Sequence, residues 1–263
     1  MNYTITPINT GFVSTNKATY FYHNSVHKYY DVVGNVNAPV AVFLVEGNGK
    51  KILIDTGMCD SATASKYHHA GSVQPEGFAI QDQLAKMGMD CSEITDIIFT
   101  HLHWDHVYNI NHFPQATLYV QKTEYEYATN PIPLYYKSYE FPELGLNPPF
   151  SGREFVLLEG NVEVFEGISV YLTPGHSVGH QNVIISTKDG EYHCCGDLIF
   201  TFDNLKECKE MHYDITPPGR FADINGLWAS IRDMKARVSQ EFILPTHDPL
   251  ILEYIEQHRV LGA

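Results

Sequence analysis

Basic residues are scarce in this sequence. Its 263 residues include 17 lysines and arginines against 31 aspartates and glutamates, which gives a formal net charge of −14 at pH 7. An acidic surface repels the phosphates of nucleic acids, and no cluster of lysine and arginine offsets that repulsion. We therefore expect no nucleic-acid partner.

Long apolar runs and a cysteine framework are missing as well. No stretch approaches the roughly 18 apolar residues that a transmembrane helix needs, so we expect no membrane partner. The segment from Met1 to Ile5 has no basic stretch followed by an apolar run, which argues against a signal peptide. The five cysteines show no regular spacing and are expected to stay reduced. Together these features predict a cytoplasmic protein.

What is present is the composition of an ordinary globular protein, with 44% hydrophobic and 18% charged residues. Two apolar runs, 40–45 and 51–54, flank a Gly/Asn turn and predict a β-hairpin. Apolar residues recur with helical spacing in 223–238. We find no repeat and no linker, so residues 1–263 are expected to form a single domain.

One short stretch carries the strongest chemical signal. His101, His103, Asp105 and His106 come directly after the apolar run 97–99. Side chains two apart on an extended segment share a face, so the first two histidines are expected to point the same way. If the chain then turns, Asp105 and His106 face a second point, and one segment can hold two metal ions. The alternative is a solvated histidine-rich loop.

Three more candidate ligands, His176, Asp197 and His247, each lie just beyond an apolar strand. Strand ends along one sheet edge can converge, which would bring five histidines and two aspartates together. That donor set suits two divalent ions of the zinc type, with at least one open position. Asp197 is the natural bridge, because one carboxylate can offer an oxygen to each ion.

The sequence resembles the metallo-β-lactamase superfamily and, within it, the N-acyl homoserine lactonase group. The resemblance covers the chain roughly from Val40 to its end. It rests on six segments: Ile54-Asp55-Thr56-Gly57, His101-Leu102-His103-Trp104-Asp105-His106, Val120-Gln121-Lys122-Thr123-Glu124-Tyr125, Thr173-Pro174-Gly175-His176-Ser177-Val178-Gly179-His180, Gly196-Asp197 and Thr246-His247-Asp248. It implies a fold of the α/β (α+β) class, an αββα sandwich with the metal ions at one sheet edge.

The resemblance also implies which side chains hold which ion. The first ion is held by three histidines, His101, His103 and His176. The second ion is held by Asp105, His106 and His247, and Asp197 bridges the two. Behind these ligands, Asp55 either caps its turn or orients a ligand histidine. His180 is expected to be a buried hydrogen-bonding histidine beside the site.

Two such ions, expected to be zinc, can share a hydroxide, because metal binding lowers the pKa of water from about 15.7 toward about 7. That hydroxide would attack the carbonyl of a small lactone, an N-acyl homoserine lactone or a related compound. Asp105 would pass a proton to the leaving oxygen. The expected function is a dinuclear-metal hydrolase that opens a lactone ring.

Phe200 departs from the family pattern. Lactonases of this group carry a tyrosine three residues after the bridging aspartate, where its hydroxyl aids the substrate carbonyl. Phe200 stands at that position and has no hydrogen-bond donor on its side chain. Tyr108, which closely follows the histidine motif, is the candidate to supply the missing hydroxyl.

Aromatic side chains are expected to wall the substrate pocket, namely Trp104, Tyr135, Tyr136 and Phe200. Two of these lie in the proline-rich segment 131–151, which suits a pocket wall or a dimer contact equally well. Monomer and homodimer therefore both stay open. His68 and His69 belong to an irregular polar segment and are expected at the surface.

Two other functions stay open at this point. One is hydrolysis of another cyclic ester, an amide or a thioester on the same fold. The other is a non-catalytic metal-binding domain. Structural zinc sites are closed, usually with four ligands on one ion, whereas seven ligands for two ions leave open positions. Bound metal without turnover of any ester, lactone or amide would favour this last function.

Overall fold

The structure is a computed structural model that describes residues 3–263. Within this range the chain forms eleven strands and seven α-helices, joined by short 3₁₀ and π turns. The strands are β1 (Thr4–Asn16), β2 (Asn35–Gly47), β3 (Lys50–Ile54), β4 (Asp96–Ile98), β5 (Thr117–Gln121), β6 (Val156–Leu158), β7 (Val162–Phe165), β8 (Ile168–Leu172), β9 (Gln181–Ser186), β10 (Glu191–Gly196) and β11 (Ile243–Pro245). The helices are α1 (Lys17–Tyr20), α2 (Ser61–Thr63), α3 (Ile80–Lys86), α4 (Trp104–Val107), α5 (Lys122–Ala128), α6 (Ile224–Arg237) and α7 (Leu250–Glu256).

The strands form two sheets. The first has the order β1-β2-β3-β4-β5-β6 and the second has the order β11-β10-β9-β8-β7. The predicted hairpin is β2 and β3, which pair antiparallel from Gly47 opposite Lys50. From β3 to β6 the pairing is parallel, as is the pairing of β10 with β11. The predicted helix over 223–238 is α6.

The two faces of β2 show why the sheets stack. Ala41, Phe43 and Val45 point into the core between the two sheets. Val42 and Leu44 point to the opposite face, where they pack with residues of α3 and α5. Because successive side chains of a strand alternate between faces, an apolar run such as this one must be covered on both sides.

The outer face of the second sheet is covered by α6. Leu227, Ile231 and Met234 of this helix pack against Cys195 and Ile243 of the strands. The order of layers is therefore helix, sheet, sheet, helix, and the predicted αββα sandwich is confirmed. Helices long and apolar enough to cross a lipid bilayer are absent from the described part of the chain.

Main-chain hydrogen bonds join the two sheets at one edge of the sandwich. The strands β3 and β4 end at this edge, as do β8, β10 and β11, which share one direction in the second sheet. Gln181 N donates to Thr100 O at 2.9 Å, and Ala41 N donates to Thr246 O at 3.0 Å. The segments that follow these strand ends are thereby held next to one another.

A buried glutamate on α5 ties two of these segments together. Glu124 is fully buried, and its Oε1 accepts from Leu102 N at 3.1 Å and from the Tyr139 hydroxyl at 3.0 Å. Its Oε2 accepts from Ser177 Oγ at 2.7 Å and from Gly179 N at 2.9 Å. One carboxylate thus connects the stretch after β4 with the stretch after β8.

We predict that Glu124→Gln destabilises the fold. The substitution replaces one acceptor oxygen of the side chain with an NH₂ group, which is itself a donor, so some of the groups that now donate to Glu124 lose their acceptor. Leaving such buried donors unpaired lowers the free energy of unfolding by about 1–3 kcal/mol. Urea unfolding of metal-stripped protein measures the change. Glu126→Gln, on the exposed side of the same helix, is the matched control and should be neutral. Equal stability of the two variants would contradict a linking role for Glu124.

Candidate metal centre

Seven side chains converge at the edge where the two sheets meet, and all of them are buried. They are His101, His103, Asp105, His106, His176, Asp197 and His247. Their nitrogen and oxygen atoms form three overlapping groups, and within each group these atoms lie within 4.8 Å of one another. The seven candidates predicted from the sequence are therefore brought to one place, although their role as ligands stays a prediction.

The first group contains the side chains from the ends of β4 and β8. His103 Nδ1 lies 3.0 Å from His176 Nε2, so the two lone pairs face the same point. His101 completes this group. His101 and His103 lie two apart on extended backbone before α4 begins, which is the arrangement expected from their spacing.

The second group uses the first turn of α4 and the end of β11. His106 Nε2 lies 4.0 Å from Asp105 Oδ1, and His247 Nε2 lies 3.7 Å from Asp105 Oδ2. The chain turns into a helix directly after His103, and this turn aims Asp105 and His106 at the second point.

Asp197 lies between the two groups. Its Oδ1 is 3.2 Å from His106 Nε2 and 3.2 Å from His247 Nε2. Its Oδ2 is 3.3 Å from His176 Nε2, in the first group. Each oxygen of one carboxylate therefore faces a different set of histidines, as a bridging ligand requires.

Several of these atoms have no hydrogen-bond partner within the described residues. His101 Nε2, His106 Nε2, His247 Nε2 and Asp197 Oδ1 are all buried and unpaired. Buried polar atoms without partners are costly, and they are rare in folded proteins. Imidazole and carboxylate donors suit divalent transition ions. The unpaired atoms fit two such ions, one for each group.

The opposite sides of the His106 and His247 rings are held by hydrogen bonds. His106 Nδ1 donates to Asp55 Oδ2 at 2.8 Å, and His247 Nδ1 donates to Pro39 O at 2.6 Å. The same Asp55 carboxylate accepts from the main chain and the hydroxyl of Thr100. These bonds direct the free nitrogen of each ring toward the centre. Of the two roles considered for Asp55, orientation of a histidine is the one that its contacts support.

His180 holds the main chain of the bridging residue. Its Nε2 accepts from Asp197 N at 3.2 Å, and its Nδ1 lies 2.9 Å from Thr173 Oγ1. Burial lowers the pKa of His180 to about 3, so the ring is neutral and can accept. The predicted place of His180, behind the ligands, agrees with these contacts.

Burial and the neighbouring charges set the protonation of the candidate ligands themselves. Desolvation holds the pKa of His101 and of His103 well below its usual value, so both rings keep the lone pair that a metal ion needs. The imidazoles of His247, His106 and His176 hold the pKa of Asp197 well below its usual value despite its burial. Despite their burial, the carboxylates of Asp197 and Asp55 raise the pKa of His106 well above its usual value, and Asp197 raises the pKa of His247. A metal ion binds the neutral imidazole, so its binding would release the protons of these two rings.

A cavity of about 210 Å³ opens onto this cluster. Its walls are formed by Tyr20, His69, His103, Trp104, Asp105, Leu134, Tyr135, Ser138, His176, Asp197, Gly219, Arg220 and Phe221. Trp104 and Tyr135 therefore line the cavity that opens onto the cluster, and the segment 131–151 contributes to its wall. Tyr136 does not border this cavity; its ring stacks on Phe141 with the centroids 4.6 Å apart.

Besides Tyr136, two further predictions about aromatic residues are wrong. Tyr108 borders a different cavity, with Thr63 and Tyr67, because the helical turn of α4 carries it to the far side of the motif. Phe200 has no exposed surface and lies beneath the ring of Tyr20, with the centroids 4.1 Å apart. Phe200 therefore backs the wall of the cavity rather than forming its surface.

Sequence reasoning also missed several residues around the cavity. Tyr20 and Arg220 form part of its wall, and neither lies near a recognisable motif. His68 is buried and stacks on Trp104 at 4.0 Å between ring centroids, and His69 lines the cavity. The expectation that both histidines lie at the surface is wrong, because their contacts come from distant parts of the chain and leave no local signal.

Comparison with known proteins agrees with this geometry. A sequence model of the metallo-beta-lactamase superfamily matches residues 37–247. The chain belongs to the metallo-beta-lactamase superfamily. It is 31% identical to an N-acyl homoserine lactonase of Bacillus thuringiensis over 227 residues, which cover 83% of this chain and 84% of that protein. It is 29% identical to the N-acyl homoserine lactonase AttM of Rhizobium radiobacter, over 64% of this chain and 68% of that protein.

Solved structures of the superfamily extend the likeness over the whole chain. One is an N-acyl homoserine lactone hydrolase with the product N-hexanoyl-L-homoserine bound at its catalytic metal centre. It shares 26% sequence identity with this chain, the TM-score is 0.75, and the match covers 100% of this chain and 99% of the other. The predicted resemblance to the superfamily and to its lactonase group is confirmed.

We predict that Asp55→Asn weakens metal binding by about 10–100-fold, since an outer hydrogen-bond partner of a ligand histidine is changed. The backbone at Asp55 has φ of 65°, which asparagine tolerates as well as aspartate does. Competition with a chromogenic chelator measures the affinity for zinc. Asp189→Asn removes the same charge from an exposed turn and is the control. Unchanged affinity in Asp55→Asn would show that this hydrogen bond does not tune the site.

Proposed function

We propose that this protein is a dinuclear-metal hydrolase that opens the ring of N-acyl homoserine lactones or closely related lactones. The observation that carries the proposal is the position of Asp197, whose two oxygens face two separate sets of histidines beside an open cavity. The likeness to N-acyl homoserine lactonases, and to a hydrolase with a ring-opened product bound, supports the choice of substrate.

Zinc is the ion that we propose for both positions, because histidine and carboxylate donors with open coordination positions are typical of catalytic zinc. His101, His103 and His176 would hold one ion, Asp105, His106 and His247 would hold the other, and Asp197 would bridge them. When bound, such a pair supplies a hydroxide nucleophile at neutral pH and Lewis-acid stabilisation of the carbonyl and leaving oxygens.

The protein's own residues orient the substrate and manage its protons. Asp105 borders the cavity as well as the second group of ligands, so its carboxylate is placed to hold the proton that the leaving alkoxide takes up. Trp104, Leu134 and Tyr135 give the cavity an apolar side. We propose that the acyl chain lies on this side while the lactone ring faces Asp197.

We further propose that residues 1–263 act as one domain. The reason is that the candidate ligands come from both sheets, so that neither sheet alone would complete the site. A fragment restricted to one sheet would lack either Asp197 and His247 or the stretch from His101 to His106.

The test is proton release from N-hexanoyl homoserine lactone at constant pH. Ring opening produces a carboxylic acid with a pKa of about 4, so one proton per turnover is released near neutral pH. We expect release by zinc-loaded protein, loss of at least about 100-fold after chelation, and recovery on adding zinc back. Metal analysis should find two ions per chain.

The panel for this test includes a lactone without the acyl amide, a cyclic amide and a thioester. Turnover of N-hexanoyl homoserine lactone confirms the proposal. Turnover of only another member of the panel would contradict the proposed substrate and leave the proposed metal-dependent hydrolysis standing. Two bound ions without turnover of any member would overturn the catalytic function and favour a metal-binding domain.

A further inference from the structure

Tyr20 reaches the cavity from a part of the chain remote from every ligand in sequence. It is the last residue of α1, which begins directly after β1 ends. The side chain is 5% exposed and lines the same cavity as Asp105 and Asp197.

The ring of Tyr20 is held by aromatic contacts on several sides. It stacks on Phe200 at 4.1 Å with an interplanar angle of 7°, and Phe21 meets it edge-on at 5.3 Å. The imidazole of His247 meets it edge-on at 5.5 Å. These contacts fix the ring, so the position of its hydroxyl relative to the metal centre is fixed as well.

The hydroxyl of Tyr20 makes no hydrogen bond to the residues that the structure describes. A phenol ordinarily has a pKa of about 10 and carries its proton at neutral pH, so the group can donate or accept a hydrogen bond as a neutral hydroxyl. The side chain lines the cavity, so a ligand bound there can supply the partner that the protein does not.

The other tyrosine in the wall of this cavity is already engaged. Tyr135 donates its hydroxyl to Phe221 O at 2.8 Å. Tyr139, which packs against His103, donates to Glu124 at 3.0 Å. Within the described residues, Tyr20 is thus the cavity-lining phenol whose proton is free for a substrate.

We propose that the Tyr20 hydroxyl donates a hydrogen bond to the carbonyl oxygen of the bound ester as negative charge develops there. The inference rests on the proposed function. The balance of the reaction is unchanged by this role: water adds to the carbonyl carbon, the ring C–O bond breaks, and the leaving oxygen takes up a proton. Tyr20 keeps its own proton throughout and stabilises charge only.

Tyr20→Phe is the direct test, since it removes the hydroxyl and keeps the stacked ring. Removal of one donor to a developing oxyanion lowers kcat by about 100-fold, and we expect KM to change by less than about threefold because the contact strengthens only in the transition state. The pH profile should keep its shape, since in this role the hydroxyl donates a hydrogen bond without losing its proton. A kcat within about twofold of wild type would overturn the inference.

Tyr22→Phe is the matched control. Tyr22 lies two residues away and donates its hydroxyl to Asp203 at 2.7 Å, outside the metal cavity. Loss of this contact changes stability alone, so kcat should stay within about twofold of wild type. An equal fall in kcat for both variants would show that the segment around α1, rather than the Tyr20 hydroxyl, is what the reaction requires.

A binding measurement tests the same hydroxyl without turnover. A cyclic phosphonate analogue of the tetrahedral state should bind zinc-loaded Tyr20→Phe about 100-fold more weakly than wild type. The ring-opened product N-hexanoyl-L-homoserine should lose much less affinity, and the zinc content should be equal in the two proteins. Equal affinity of both proteins for the phosphonate would overturn the inference.

These measurements separate failure of the inference from failure of the proposed function. Active wild type and equally active Tyr20→Phe would leave the function standing and remove the role of Tyr20. A different outcome is that wild type is inactive on lactones while Tyr20→Phe binds the phosphonate more weakly than wild type does. That outcome would contradict the lactone substrate and support hydrogen bonding of the Tyr20 hydroxyl to a tetrahedral centre.

Discussion

Desolvation of the seven-residue cluster is the constraint on which the rest of the structure depends. Five imidazoles and two carboxylates lie buried at one sheet edge, and several of their donor atoms have no protein partner. A core packed with unpaired polar atoms is unstable unless something compensates them. Part of this compensation comes from the outer side of the cluster, where Thr100, Asp55 and Pro39 O form hydrogen bonds with the outward-facing nitrogens of three histidine rings. The inner side is left open for metal ions.

Close packing around Asp197 follows from the same constraint. Gly196 has φ of 48°, and a Cβ atom there would lie 2.7 Å from Thr100 Oγ1 and 2.8 Å from His180 Nε2. Only glycine lets the chain turn at this point and deliver Asp197 between the two groups of histidines. Glu124 has the corresponding role for the stretches after β4 and β8, since its carboxylate is the acceptor that both stretches share. Small residues and one buried acid thus hold the geometry that the ligands require.

The cavity differs in character from the protein surface around it. The chain carries a net charge of −14, yet Arg220 lies in the cavity wall and donates to His69 Nε2 at 3.3 Å. Burial and the charge of Arg220 lower the pKa of His69 to about 4, so this ring is neutral and accepts. Arg220 and Tyr20 give the cavity wall hydrogen-bond donors, and Asp105 and Asp197 give it carboxylates. A neutral polar ester suits a wall that carries both kinds of group better than a highly charged substrate does.

Local patterns were sufficient to predict the hairpin of β2 and β3, helix α6 and the seven side chains that converge, because alternation, helical spacing and ligand spacing are short-range properties of the chain. The resemblance to the superfamily supplied the layered fold and the grouping around two ions. Local patterns were not sufficient for Tyr20, His68, His69 and Arg220, or for the true positions of Tyr108 and Phe200. Tyr20 meets Phe200 across 180 positions of sequence, and its place depends on how β1 delivers α1 to the end of β10. Such contacts are decided by tertiary packing, since nothing in the neighbouring residues distinguishes a phenol that lines a cavity from one that fills a core.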